Sequence, residues 1–86
     1  MRVLVIYKGQ SDYTSTVDGF LHDFEYQTGH KLEIMDPDTA AGYGFCEAYD
    51  IVEYPSIVAL SDDSVLQKMW RGLPLPTISD VSYYVQ

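Results

Sequence analysis

A single cysteine among 86 residues is the first constraint on this chain. One thiol cannot close an internal disulfide, so a disulfide-stapled fold is excluded and a reducing compartment fits best. Basic residues are almost as scarce. Five Lys and Arg face 13 Asp and Glu, for a formal charge of -8. No basic cluster breaks that excess, so partners bound by neutralising phosphates are not expected, neither nucleic acid nor an anionic membrane surface. Long apolar runs are absent too. The run Val3–Tyr7 is too short for the core of a signal peptide, and nothing approaches transmembrane length. A soluble, cytoplasmic protein is the expectation. His22, His30 and Cys46 share no Cys-x-x-Cys or His-x-x-x-His spacing, so no metal site is expected. Repeats and low-complexity tracts are missing.

What is present is enough for one small globular domain spanning residues 1–86. At 47% hydrophobic and 21% charged the chain has a core to bury. A domain of this size buries only about two-thirds of its unfolded surface. Val3–Tyr7 is an uninterrupted, β-branched run, as in a central strand covered on both faces. Val17, Phe20, Leu21 and Phe24 fall at helical spacing within Thr14–Thr28. Ser15 and Asp18 have capping-box spacing, and Gly29 suits the helix end. Leu32–Met35 reads as a second strand. Asp36 as cap and Pro37 as first residue then start a helix reaching about Tyr49. Gly42 and Gly44 weaken it by about 1 kcal/mol each relative to alanine, so it should be short or irregular. Ile57–Leu60 and Val65–Trp70 flank Ser61-Asp62-Asp63-Ser64 as a hairpin ending at Gly72. After the extended Leu73-Pro74-Leu75-Pro76, Thr77 and Asp80 cap a last helix carrying Ile78, Val81 and Val85.

The order is β-α-β-α-β-β-α. A right-handed crossover makes the first two strands parallel neighbours, and the hairpin adds an antiparallel pair. That gives an α/β fold with a four-stranded mixed sheet flanked by helices. Within it, Val3–Tyr7 runs through Lys8-Gly9-Gln10-Ser11-Asp12-Tyr13-Thr14 into a helix. Tyr49-x-Ile51-x-x-Tyr54-Pro55-Ser56 precedes the apolar Ile57–Leu60, and Trp70-Arg71-Gly72 closes the hairpin. This combination resembles the thioredoxin/glutaredoxin superfamily over essentially the whole chain. Its redox members carry Cys-x-x-Cys after the first core strand, where this chain has Ser11-Asp12-Tyr13-Thr14. The scaffold is expected and the dithiol is absent. A serine hydroxyl neither forms disulfides nor ionises near neutral pH, and no cysteine precedes Cys46, so dithiol–disulfide exchange is excluded.

The resemblance also implies a cis bond before Pro55, although X-Pro bonds are mostly trans. It implies a groove made by Ser11, Asp12, Tyr13, Thr14, Tyr54, Pro55, Gly72 and Leu73. The free N–H and C=O of Tyr54 would pair there with an extended protein or peptide segment. Tyr13, Tyr54 and Leu73–Leu75 would form an aromatic and apolar rim, or else half-bury against the domain. Ser11 and Asp12 read as an ordinary helix cap. The other reading makes Ser11 a thiolate donor, as in serine-type glutathione transferases of this fold. Asp12 opposes it by raising a nearby thiolate's pKa. Only Lys8 and Arg71 are at hand for the tripeptide's carboxylates, so glutathione is the weaker alternative and no cofactor is expected. Cys46, mid-helix between Phe45 and Glu47, reads as a small buried hydrophobe, with monothiol chemistry as the alternative. The expected function is a redox-inactive, peptide-binding thioredoxin-like module with no catalytic residues.

Overall fold

The computed structural model describes residues 1–85. Its elements are β1 (Arg2–Ile6), α1 (Thr14–Thr28), β2 (Glu33–Met35), α2 (Ala40–Ala48), β3 (Ser56–Leu60), β4 (Leu66–Arg71) and α3 (Ile78–Ser82). The four strands lie in the order β2-β1-β3-β4. β1 is parallel to β2 and antiparallel to β3, and β3 is antiparallel to β4. This is the mixed sheet expected from a crossover followed by a hairpin.

Alternation along β1 divides the core in two. Val3 and Val5 face one layer with Ile57 and Ala59, beneath Val17 and Phe24 of α1 and Val81 of α3. Leu4 and Ile6 face the other with Val58 and Leu60, beneath Cys46 of α2 and Ile51. Leu4, Val5, Ile6, Ile57 and Val58 are completely shielded from solvent. Each contributes about 1.5–3 kcal/mol relative to an exposed position. Covering on both faces is why these two strands read as continuous apolar runs rather than alternating ones. The edge strands β2 and β4 are largely exposed, and the Arg2 guanidinium grips the Glu33 carboxylate through two hydrogen bonds of 2.9 and 3.2 Å.

Two helix starts differ from expectation. Ser15 and Asp18 do not cap α1. Its N-cap is Tyr13, which makes no side-chain capping bond, and Asp18 instead accepts from the Tyr7 hydroxyl at 2.9 Å. α2 begins at Ala40 behind Thr39, not at Pro37 behind Asp36. The Asp36 carboxylate accepts from the Asp38 N–H at 2.8 Å, curling residues 36–39 into a turn. Thr39 then caps the helix by accepting from Gly42 N–H at 3.0 Å while donating to Asp36 C=O at 2.8 Å. Thr77 caps α3 as expected, through Asp80 N–H at 3.1 Å, and Gly29 ends α1 with a left-handed φ of 74°.

The turn ahead of α2 gives Gly42 a role that helix propensity misses. A Cβ at Gly42 would lie 1.8 Å from the Asp36 carbonyl oxygen, whereas one at Gly44 would meet nothing within 4 Å. Gly42→Ala is therefore expected to lower stability by about 2–3 kcal/mol through overpacking. Gly44→Ala, in the same helix, is expected to raise it by about 0.5–1 kcal/mol. Urea unfolding of the pair checks this, and equal effects would contradict the turn-to-helix contact.

Candidate functional site

Strand register brings three loops to one end of the sheet. Ser56 lies opposite both Ile6 and Arg71. The chain leaving β1, the chain entering β3 and the chain leaving β4 therefore meet there. The Tyr54–Pro55 bond is cis. The loop is folded by the Ser56 hydroxyl donating to Glu53 C=O at 2.6 Å. It is tied to the end of β4 by Gly72 N–H donating to Pro55 C=O at 2.9 Å. Gly72 takes a φ of 69°, a conformation that disfavours other residues. Among the described residues, neither the N–H nor the C=O of Tyr54 takes part in a backbone hydrogen bond.

At the start of α1, Thr14 is the organising residue. Its Oγ1 donates to Lys8 C=O at 3.0 Å, which uses its only proton. It therefore accepts from Ser11 N–H at 3.0 Å and from the Ser11 hydroxyl at 3.1 Å. The Ser11 proton is thus directed at Thr14. To donate to a bound thiolate, Ser11 would have to break that bond. Asp12 is exposed and makes no cap. The helix-cap reading of this pair is corrected: the turn is held by Thr14 reaching backwards, because its side chain is the one placed beneath the Lys8 carbonyl.

The two tyrosines pack with different core layers. Both are partly buried. Tyr13 packs with the α1/α3 core layer, as Leu75 does, and Tyr54 with the α2 layer. Lys8 links them: its N–H donates to the Tyr13 hydroxyl at 3.1 Å, and its ammonium sits 5.7 Å from the centre of the Tyr54 ring. That ammonium also lies 3.8 Å from Asp38. Leu73 is exposed beside Gly72, 56% accessible. Sequence reading missed Lys8 as the bridging residue, since only tertiary folding brings residues 8, 38 and 54 together.

Cys46 is 5% exposed and packs among Leu4, Ile6, Ile51, Val58 and Leu60. It lies on α2, away from Ser11 and any helix N-terminus. Burial pushes the pKa of the Tyr54 phenol up, and the neighbouring Cys46 thiol adds to the rise, while the hydroxyl donates to Ile51 C=O at 3.4 Å. Among the described residues, no helix is long and apolar enough to cross a membrane.

A mixed sheet in the order β2-β1-β3-β4, with helices on both faces and a cis-proline loop beside the N-terminus of α1, defines a thioredoxin-like fold. The structure of thioredoxin 1 from the thermophilic eubacterium Thermosipho africanus superposes on it with a TM-score of 0.67, covering 99% of this chain and 90% of that one. Identity is 10%, so the likeness is one of fold. No protein-family model and no curated protein matches the sequence. At the start of α1 the Ser11 and Thr14 hydroxyls lie 3.1 Å apart.

That separation generates a direct test of placement. In the double variant Ser11→Cys/Thr14→Cys the two thiols should fall within bonding reach and oxidise to an intramolecular disulfide. Mass spectrometry with thiol counting should then find Cys46 as the sole free thiol of the oxidised, denatured protein. Three free thiols after mild oxidation would show the turn to be wrongly placed. Tyr54 generates a second test. In the unfolded chain its phenol ionises near the ordinary 10.0, and in the folded state later. The unfolded state therefore loses its proton first. Stability is intact below about pH 10 and falls as pH rises through the folded-state value. Tyr54→Phe should make that alkaline loss shallower in pH-dependent urea melts.

Proposed function

We propose that this chain is a thioredoxin-like binding module without redox chemistry, which holds an extended polypeptide segment against the loop at Tyr54–Pro55. The observation that carries the reading is the Tyr54 peptide group, whose N–H and C=O make no hydrogen bond among the described residues, while the neighbouring Glu53 and Pro55 carbonyls are both held. An extended segment satisfies both in the manner of an added strand. Lys8, Ser11–Thr14 and Gly72–Leu73 flank that position and bound the groove. Its partner is a protein or peptide rather than a nucleic acid, given the charge of -8. A reducing compartment such as the cytoplasm suits a lone buried thiol.

The glutathione-dependent alternative has less support. The Ser11 hydroxyl is engaged by Thr14, and Cys46 is buried in the α2 layer, where its thiol is inert rather than nucleophilic.

Selection of random dodecamer peptides on the immobilised protein, followed by amide NMR of the ¹⁵N-labelled chain, tests the reading. Bound peptides are expected to shift Tyr54 and Ser56, with smaller shifts at Ser11–Thr14 and Gly72. Tyr54→Ala should weaken them about tenfold, equivalent to about 1.4 kcal/mol. Millimolar reduced glutathione should leave the same amides unmoved. Selected peptides that bind Tyr54→Ala as well as the wild type, or shift a different face, sink the groove.

A further inference from the structure

Beside the Tyr54 loop, on the α2 side of the sheet, lies an open cleft of about 270 Å³. Its apolar walls are Tyr43, Ile51, Val52 and the ring of Tyr54, and its charged residues are Glu47 and Asp50. No Lys or Arg lines it. Tyr43 and Val52 are 66% and 77% exposed, a large apolar surface to leave in water at two neighbouring positions. Neither carboxylate forms an ion pair among the described residues. Nor does either accept a side-chain hydrogen bond there. The nearby Lys8 ammonium is drawn to the Tyr54 ring and Asp38.

We propose that this cleft is a specificity pocket for a Lys or Arg side chain of the extended segment held at Tyr54. The inference rests on the groove reading given under Proposed function and adds the chemistry of its partner. Lys and Arg combine a long aliphatic stem with a cationic head. The stem fits against Ile51, Val52 and the tyrosine rings, and the head meets Glu47 and Asp50 at the cleft's acidic side. The exposed Tyr43 ring adds attraction for the cation. A neutral aliphatic side chain would desolvate two carboxylates without a counter-charge, and an acidic one would be repelled by them. Tyr54 couples the two regions, since its backbone belongs to the groove and its ring to the cleft. The pocket therefore reads a residue of the same segment that pairs with the Tyr54 peptide group.

The peptides selected on the wild-type protein provide the test. A Lys or Arg should recur at one position among them. Replacing that residue by citrulline, which keeps the shape of Arg and removes its charge, should weaken binding about tenfold at low salt. The double variant Glu47→Gln/Asp50→Asn should lose the same factor for the cationic peptide and none for the citrulline one. Asn tolerates the left-handed φ of 58° at position 50, and a thermal melt checks that the variant is folded. Citrulline peptides that shift Tyr54 and Ser56 with undiminished affinity overturn the pocket and leave the groove standing. Selected peptides that shift neither residue overturn the groove, and the pocket with it.

Discussion

Ser56 occupies the row on which the rest of the architecture depends. It begins β3, faces Ile6 across one strand boundary and Arg71 across the other, and is fully buried. Because β1 and β4 both run antiparallel to β3, their exits sit beside its entrance. That places the Lys8–Tyr13 loop, the Glu53–Pro55 loop and Gly72 at one end. The Ser56 hydroxyl holds the incoming loop by bonding Glu53 C=O at 2.6 Å, and Gly72 N–H holds Pro55 C=O from the far side. A one-residue slip of this register would turn every core side chain of β3 to the opposite layer. The same apolar residues that stabilise the sheet therefore determine where the Tyr54 peptide group lies.

Around that end of the sheet, side-chain hydroxyls hold the loops together. Thr14 gives its proton to Lys8 C=O and receives those of Ser11. The result is a closed hydrogen-bond turn at the start of α1. The lone thiol, on α2, is packed among aliphatic side chains of the other core layer. What this end of the sheet exposes is the Tyr54 peptide group, with Tyr43 and Val52 among the exposed apolar side chains nearby.

How much was legible in the sequence differs by element, and the reason is locality. α1 is observed from Thr14 to Thr28 and closed by Gly29, because side-chain periodicity and a glycine stop are local signals. The start of α2 differs from expectation because Asp36-Pro37 is as good a cap in sequence as Thr39 is in space. The Asx turn at Asp36 and the tight approach of Gly42 decide between them. The cap expected at Ser15 failed for a related reason, since Asp18 is drawn to Tyr7, eleven residues earlier in the chain. Either an aromatic rim or half-burial was open to Tyr13 and Tyr54 in sequence, and both rings are partly buried, each with a different core layer. No spacing in the sequence reports on which side of a sheet a loop residue falls.

The sequence alone determined the element order, the two doubly covered strands, the missing dithiol and the acidic balance. Each follows from residue type and short-range pattern, which act over a few positions of the chain. Tertiary structure decided the rest. It turned the Ser11 proton to Thr14, set Lys8 over Tyr54, put Cys46 beneath that ring, and gathered Tyr43, Glu47, Asp50 and Val52 around one cleft. These arrangements depend on strand register and helix placement, through which residues far apart in the chain come within bonding distance. Such proximity exists only once the sheet has closed.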